Sequence, residues 1–208
     1  MPAEARGPAC RSHQTARKDH ERGSRWRGQD RFSAGEKRMM APDTIIATLR
    51  QRFGEGGFTV EESCEGSVFV VPRNKLREFL KAMRDDEALG FDMLTDLFGV
   101  DRHTAKPRFE VVYFLNSLKN GGRATVKTRI DGTDSVDTAS DIWRAAEWLE
   151  REVFDMFGID FKNHPDLRRI LLTDDFDGYP LRKDFPTEGR DFDKPFVVEF
   201  EEEKEGAR

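Results

Sequence analysis

The sequence predicts an α+β fold: a mixed, mainly antiparallel sheet with helices packed on one face, followed by an extended C-terminal docking segment. Three observations lead there. Strand-like segments in the middle of the chain follow one another across short turns, the pattern of antiparallel neighbours. Other segments carry apolar residues at helical spacing. Beyond Gly158, the residues Pro165, Gly178, Pro180 and Pro186 interrupt a stretch still rich in Phe, Leu and Ile. Such a stretch cannot stay regular for long, and its apolar side chains send it over its own domain or over a neighbour.

The elements follow in order. Pro42-Asp43-Thr44 opens a helix through about Phe53, with Ile45, Ile46 and Leu49 on one side and Gly54, Gly56 and Gly57 as its stop. Phe58 to Glu61 and Ser67 to Val71 read as strands. Pro72-Arg73-Asn74 starts a second helix to about Arg84, with Leu76, Phe79, Leu80 and Met83 at helical spacing. Phe91 to Val100 holds a strand through its middle. Arg108 to Asn116, with its run "FEVVYFL", is the clearest strand, and Asn120-Gly121-Gly122 turns it into a returning strand from Arg123 to Ile130. No internal repeat is present.

The third helix is expected to open at Thr138-Ala-Ser-Asp141, which fits a capping box. Ile142, Ala145, Ala146, Leu149, Val153 and Met156 then share one face, with Arg144, Glu147, Arg151 and Asp155 opposite. Glu147 to Arg151 and Arg151 to Asp155 are spaced to pair along the helix surface. Glu150 and Glu152 fall on the borders of the apolar face, beside aromatic residues. Partly desolvated carboxylates need cations or backbone donors, and Arg168, Arg169, Arg182 and Lys183 follow soon after. Gly158 supplies the helix stop.

Composition sets the organisation. The 208 residues carry a net charge of -5, which excludes a general nucleic-acid binder. Residues 1–38 hold 10 basic against 5 acidic residues and no Leu, Ile or Val. Residues 1–40 are therefore expected to be a disordered basic leader, with Met39-Met40 as an alternative natural start. A basic arm for an acidic partner is the rival reading. Residues 41–160 form the α+β domain. Residues 161–208 form the proline-punctuated docking tail, whose acidic end, Glu199 to Glu205, is expected to be solvated. The longest apolar run, Val111 to Leu115, is far too short to span a bilayer.

Chemistry-bearing motifs are sparse. Cys10 and Cys64 form no C-x-x-C pair, so neither an iron–sulfur cluster nor a structural zinc is expected in this chain. Thr173 to Asp184 resembles a calcium loop only loosely, since Thr stands first and Asp last, and Arg182 and Lys183 would repel the ion. No glycine-rich phosphate loop follows a strand. His164 with Asp166 could act as a base and its orienter, but no Ser or Cys nucleophile stands beside them. Arginines, aromatics and paired carboxylates are instead the residues of a polar protein contact.

From Glu150 to Leu171 the chain resembles a known family: the 30 kDa-type peripheral-arm subunit of bacterial NADH:quinone oxidoreductase, respiratory complex I. The motif is carried by Glu150, Arg151, Glu152, Asp155, Met156, Phe157, His164, Arg168, Ile170 and Leu171. "GYPLRKDFP", Gly178 to Pro186, is similar to the family's continuation. So is "SDIWRAAEWLE" upstream, with Arg144 where proline is more usual. The resemblance covers roughly Ile45 to Pro195 and leaves out residues 1–40.

The resemblance implies a non-redox assembly protein without a catalytic centre, in the peripheral arm of a proton-translocating enzyme. NADH, FMN, iron–sulfur clusters and quinone would belong to the complex and none to this chain. The implied neighbours are the subunit that holds the terminal iron–sulfur cluster and the large quinone-site subunit. The implied location is peripheral, on the cytoplasmic side of the bacterial membrane. Glu150, Arg151, Glu152, Asp155, His164, Asp166, Arg168, Arg169, Arg182, Lys183 and Asp184 would form the docking motif. The equivalent small subunit of a membrane-bound hydrogenase or a cofactor F420 dehydrogenase is the alternative. A free-standing enzyme using His164 and Asp166 is the weaker one.

Overall fold

The structure, a computed structural model, describes residues 40–63, 66–132 and 134–187. The expected leader, except for Met40, and the tail beyond Thr187 lie outside them. Ten elements follow in chain order: α1 (Pro42–Phe53), β1 (Thr59–Ser63), β2 (Gly66–Val70), α2 (Arg73–Asp85), β3 (Met93–Asp101), β4 (Phe109–Asn116), β5 (Arg123–Ile130), β6 (Ser135–Asp137), α3 (Ala145–Phe157) and β7 (Asp160–Lys162).

Five strands form one sheet in the order β1-β2-β5-β4-β3. All pairs are antiparallel except β2 with β5, which is parallel. That one parallel pair makes the sheet mixed and mainly antiparallel, as expected, and the connections explain it. Helix α2 carries the chain across the sheet, so β3 points the same way as β2. Two reversals then bring β5 back in that direction beside β2. The crossover leaves a gap of two strands, which the β3-β4-β5 meander fills.

The helices cover one face. Ile45 and Leu49 of α1, Leu76 and Phe79 of α2, and Val153 and Phe157 of α3 share one hydrophobic cluster with Phe69, Val126, Tyr113 and Leu97 of the strands. Phe53, Phe58, Phe69 and Phe79 stack edge-on or tilted, with ring centroids 5.3 to 6.1 Å apart. Each of the buried rings, Phe58, Phe69 and Phe79, contributes about 1.5–3 kcal/mol by leaving water. Pro42 sits in the first turn of α1, where its missing N–H costs nothing.

Two local expectations fail. Helix α3 begins at Ala145, not at Thr138, and its N-cap Arg144 makes no side-chain cap bond. The Thr138 hydroxyl is turned inward to another acceptor, described below. The second failure is a missed sheet: β6 and β7 pair in parallel on either side of α3, with Val136 and Phe161 buried. At three residues each they are too short to leave a period in the sequence. Gly158 does end α3, in the left-handed conformation (φ 67°, ψ 32°). From Asn163 to Thr187 the chain holds neither helix nor strand.

Candidate docking site along helix α3 and the tail

Asp155 organises the tail. It lies in the last turns of α3 and is fully buried. One carboxylate oxygen accepts the backbone N–H groups of Ile170, Leu171 and Leu172 at 3.1, 2.8 and 3.0 Å. The other accepts from Arg169 at 2.8 Å. Burial pushes the carboxyl up, but the three N–H groups and Arg169 together outweigh it and leave it below its ordinary value. Arg169 Nη2 donates to the carbonyls of Phe176 and Gly178, both at 3.1 Å. Its plane lies against Phe176 and Tyr179.

Arg151 is buried too, and donates to the carbonyls of Arg168 and Arg169 at 3.2 Å. The expected surface ladder Glu147–Arg151–Asp155 is therefore absent. Arg151 and Asp155 both turn toward the tail, because its backbone offers carbonyls and N–H groups that need partners once water is excluded.

Glu150 is also fully buried, but among the described residues no arginine holds it; His164 Nε2 lies 3.9 Å from one of its oxygens. The Thr138 hydroxyl and the Ala139 N–H donate to its two oxygens, the latter at 2.7 Å. Burial raises its carboxyl to about 7, against these two hydrogen bonds, with Asp141 adding to the rise. Of the cations or backbone donors expected for it, Glu150 takes a backbone N–H and a hydroxyl rather than an arginine of the described tail. Glu152 is exposed and is not part of this network.

His164 is enclosed, and both ring nitrogens are engaged. Nε2 lies 3.0 Å from the Glu147 carbonyl, and Nδ1 accepts the Asp166 N–H at 3.1 Å. This is the Nε2–H tautomer, with no lone pair facing a substrate. The Asp166 carboxylate goes to Arg168 at 2.9 Å, both exposed. An acid–base pair of the His164 and Asp166 side chains is not formed.

The tail's last described stretch crosses to the sheet. Arg182 donates to the Phe157 and Gly158 carbonyls and packs on Tyr179 and Phe109. The Leu181 N–H bonds the Met156 carbonyl at 3.2 Å. The Lys183 N–H reaches Asp101 at 2.8 Å. Arg108 bridges Asp101 (2.6 Å) and Asp184 (2.9 Å). Its guanidinium holds both carboxyls below their ordinary values, Asp101 far below.

Asp101, Arg108 and Thr138 were not anticipated. The one available signal was an acid and an arginine flanking the turn between β3 and β4. With the polar atoms turned inward, large apolar side chains remain outside: Trp148 57%, Leu171 64% and Leu181 52% exposed. Among the described residues, no group of three or more His, Cys, Asp or Glu could hold a metal ion.

This docked arrangement lies within a region matched by a known family. Residues 69–191 match the family described as respiratory-chain NADH dehydrogenase, 30 Kd subunit. The chain is 45% identical over 154 residues to a NADH-quinone oxidoreductase subunit of Citrifermentans bemidjiense, covering 74% of this chain and 94% of that one. It is 47% identical over 132 residues to a like-named subunit of Rhizobium meliloti, covering 63% and 72%. A chain of the membrane-bound sulfane sulfur reductase, an archaeal respiratory membrane complex, superposes with a TM-score of 0.61 at 29% identity, covering 80% of this chain and 98% of that one. The chain belongs to the 30 kDa subunit family of respiratory-chain NADH dehydrogenase, whose bacterial relatives above are subunits of NADH-quinone oxidoreductase.

Proposed function

We propose that the chain is a non-redox assembly subunit in the peripheral arm of a proton-translocating NADH:quinone oxidoreductase. It passes no electrons itself; NADH, FMN, iron–sulfur clusters and quinone are held by other subunits. Its neighbours are the subunit with the terminal iron–sulfur cluster and the quinone-site subunit, and it sits peripherally on the cytoplasmic side of the membrane. Among the described residues, no helix is long and apolar enough to cross a bilayer.

One observation carries the reading. The tail meets its own polar needs by binding inward, so Trp148, Leu171 and Leu181 are left facing out on a rigid support. Exposed Trp beside Arg, on a pre-ordered surface, is the composition of an interface anchor. Arg168, with its side chain 70% exposed, adds a cation to that surface. The iron–sulfur and quinone-site subunits are proposed as the partners that cover it.

The test is purification of tagged chain from gently solubilised native membranes. Trp148→Ala with Leu171→Asp is expected to lower co-purifying subunits by more than about tenfold, the size of a hot-spot loss. Melting of the chain itself should hardly change, since both side chains are exposed. Arg168→Ala should lower the yield of complex without altering turnover per complex. Full recovery of subunits in these variants would overturn the proposal. A second reading, the equivalent subunit of a related respiratory complex, is favoured by the likeness to the sulfane sulfur reductase chain. The identity of the co-purifying subunits separates the two.

A further inference from the structure

The outward face of the five-stranded sheet, opposite the one the helices cover, bears a second surface. Val68, Phe98, Val100, Val112 and Phe114 stand outside the hydrophobic cluster that the helices cover. They line a groove of about 280 Å³. It adjoins a second groove of about 570 Å³, which shares Phe114 and Thr125 and runs on to Arg123.

A line of charge divides this apolar face. Strand β5 alternates buried and outward positions, so Arg123, Thr125, Lys127 and Arg129 share the outward side. Arg129 is matched by Glu110 at 2.7 Å and Glu61 at 2.8 Å, and Arg102 also holds Glu110. Lys127 lies in register between Val70 and Val112. Among the described residues, neither Lys127 nor Arg123 has a carboxylate partner. These two cations are four strand residues apart, about 13 Å.

We propose that this face seats a segment of a neighbouring subunit that lays carboxylates about 13 Å apart between apolar side chains. The apolar stripes on both sides of β5 take the flanking side chains, and Lys127 takes a carboxylate at the centre. A polyanion fits less well, because Asp96, Glu61 and Glu110 share the face with the cations. A second copy of the chain fits less well too, since a two-fold contact would set one cation line against another. The inference rests on the subunit reading above but concerns a different surface.

The test uses the intact complex purified through a tag on this chain. A zero-length carbodiimide joins a lysine amine only to a carboxylate in direct contact. The expected product links Lys127 to an Asp or Glu of another subunit. Lys127→Arg should remove that link and keep the yield of complex, whereas Lys127→Glu should lower the yield about tenfold through like-charge contact. A link from Lys127 only to residues 188–208 of the same chain, or to a second copy, overturns the proposal. So does an intact complex in which Lys127 is acylated as fast as a lysine of the denatured protein. Absence of any co-purifying subunit overturns the subunit reading and this one together.

Discussion

At the scale of single residues, Glu150 couples folding to a proton. Its buried carboxyl is raised to about 7, while in the unfolded chain it titrates near the ordinary value of about 4.3. Between those values the folded state binds more protons than the unfolded one, so stability falls as pH rises. The contribution is fully present below the unfolded pKa and is lost as pH climbs through 7. Glu150→Gln keeps an acceptor for Ala139 and gains a donor for Thr138, without the charge. Relative to the unchanged protein, it is expected to gain up to about 3 kcal/mol between pH 5 and pH 8. Urea melts at the two pH values measure this, and an identical pH dependence would count against it. Asp155 shows the opposite solution to burial. Three N–H groups and an arginine keep it ionised, where among the described residues Glu150 accepts from two neutral donors, with His164 Nε2 3.9 Å away. Both residues are evident in the sequence as acids on a helix; what separates them is the number of donors brought in from elsewhere.

At the scale of elements, helix α3 sits where it does because strand β3 leaves room for it. A Cβ on Gly99 would come within 2.7 Å of the Phe157 ring. The ring therefore lies on bare backbone, and α3 approaches the sheet at its last turn. Gly99→Val is expected to push the helix off and cost about 1–3 kcal/mol as overpacking. Because Phe157 also offers its carbonyl to Arg182, displacement should loosen the tail, read as faster amide exchange at Leu181 beside a lower Tm. Unchanged exchange with an unchanged Tm would show that the contact is not tight. Helices α1 and α2 were legible from period and punctuation, to within a residue or so of their ends. The start of α3 was not, because a hydroxyl before an acid is the same signal whether it caps a helix or reaches into a core. Thr138 does the latter, since Glu150, twelve residues on, needs its proton more than the helix needs a cap.

At the scale of the molecule, the irregular tail is strapped to the domain along its length, by Asp155 with Arg169, Arg151 with the Arg168 and Arg169 carbonyls, Arg182 with the end of α3, and Arg108 with Asp184. Asp155→Ala removes the first strap and leaves one Arg169 donor and three N–H groups without their acceptor. The expected cost is about 3–5 kcal/mol, with trypsin cutting after Arg168 or Arg169 well before the sheet is attacked. Cleavage at the unchanged rate would mean that the remaining straps suffice. The sequence by itself determined the α+β class, most element limits, the helix stop at Gly158 and the family motif. Those rest on local periods, on glycine and proline, and on a long run of mixed chemistry. Only the tertiary structure decided the parallel pairing of β2 with β5, the β6–β7 pair, and which partner each charged residue of the motif takes. Pairing direction depends on the path of the crossover. Partner choice depends on which backbone groups are cut off from water, and neither is written in the spacing of neighbouring residues.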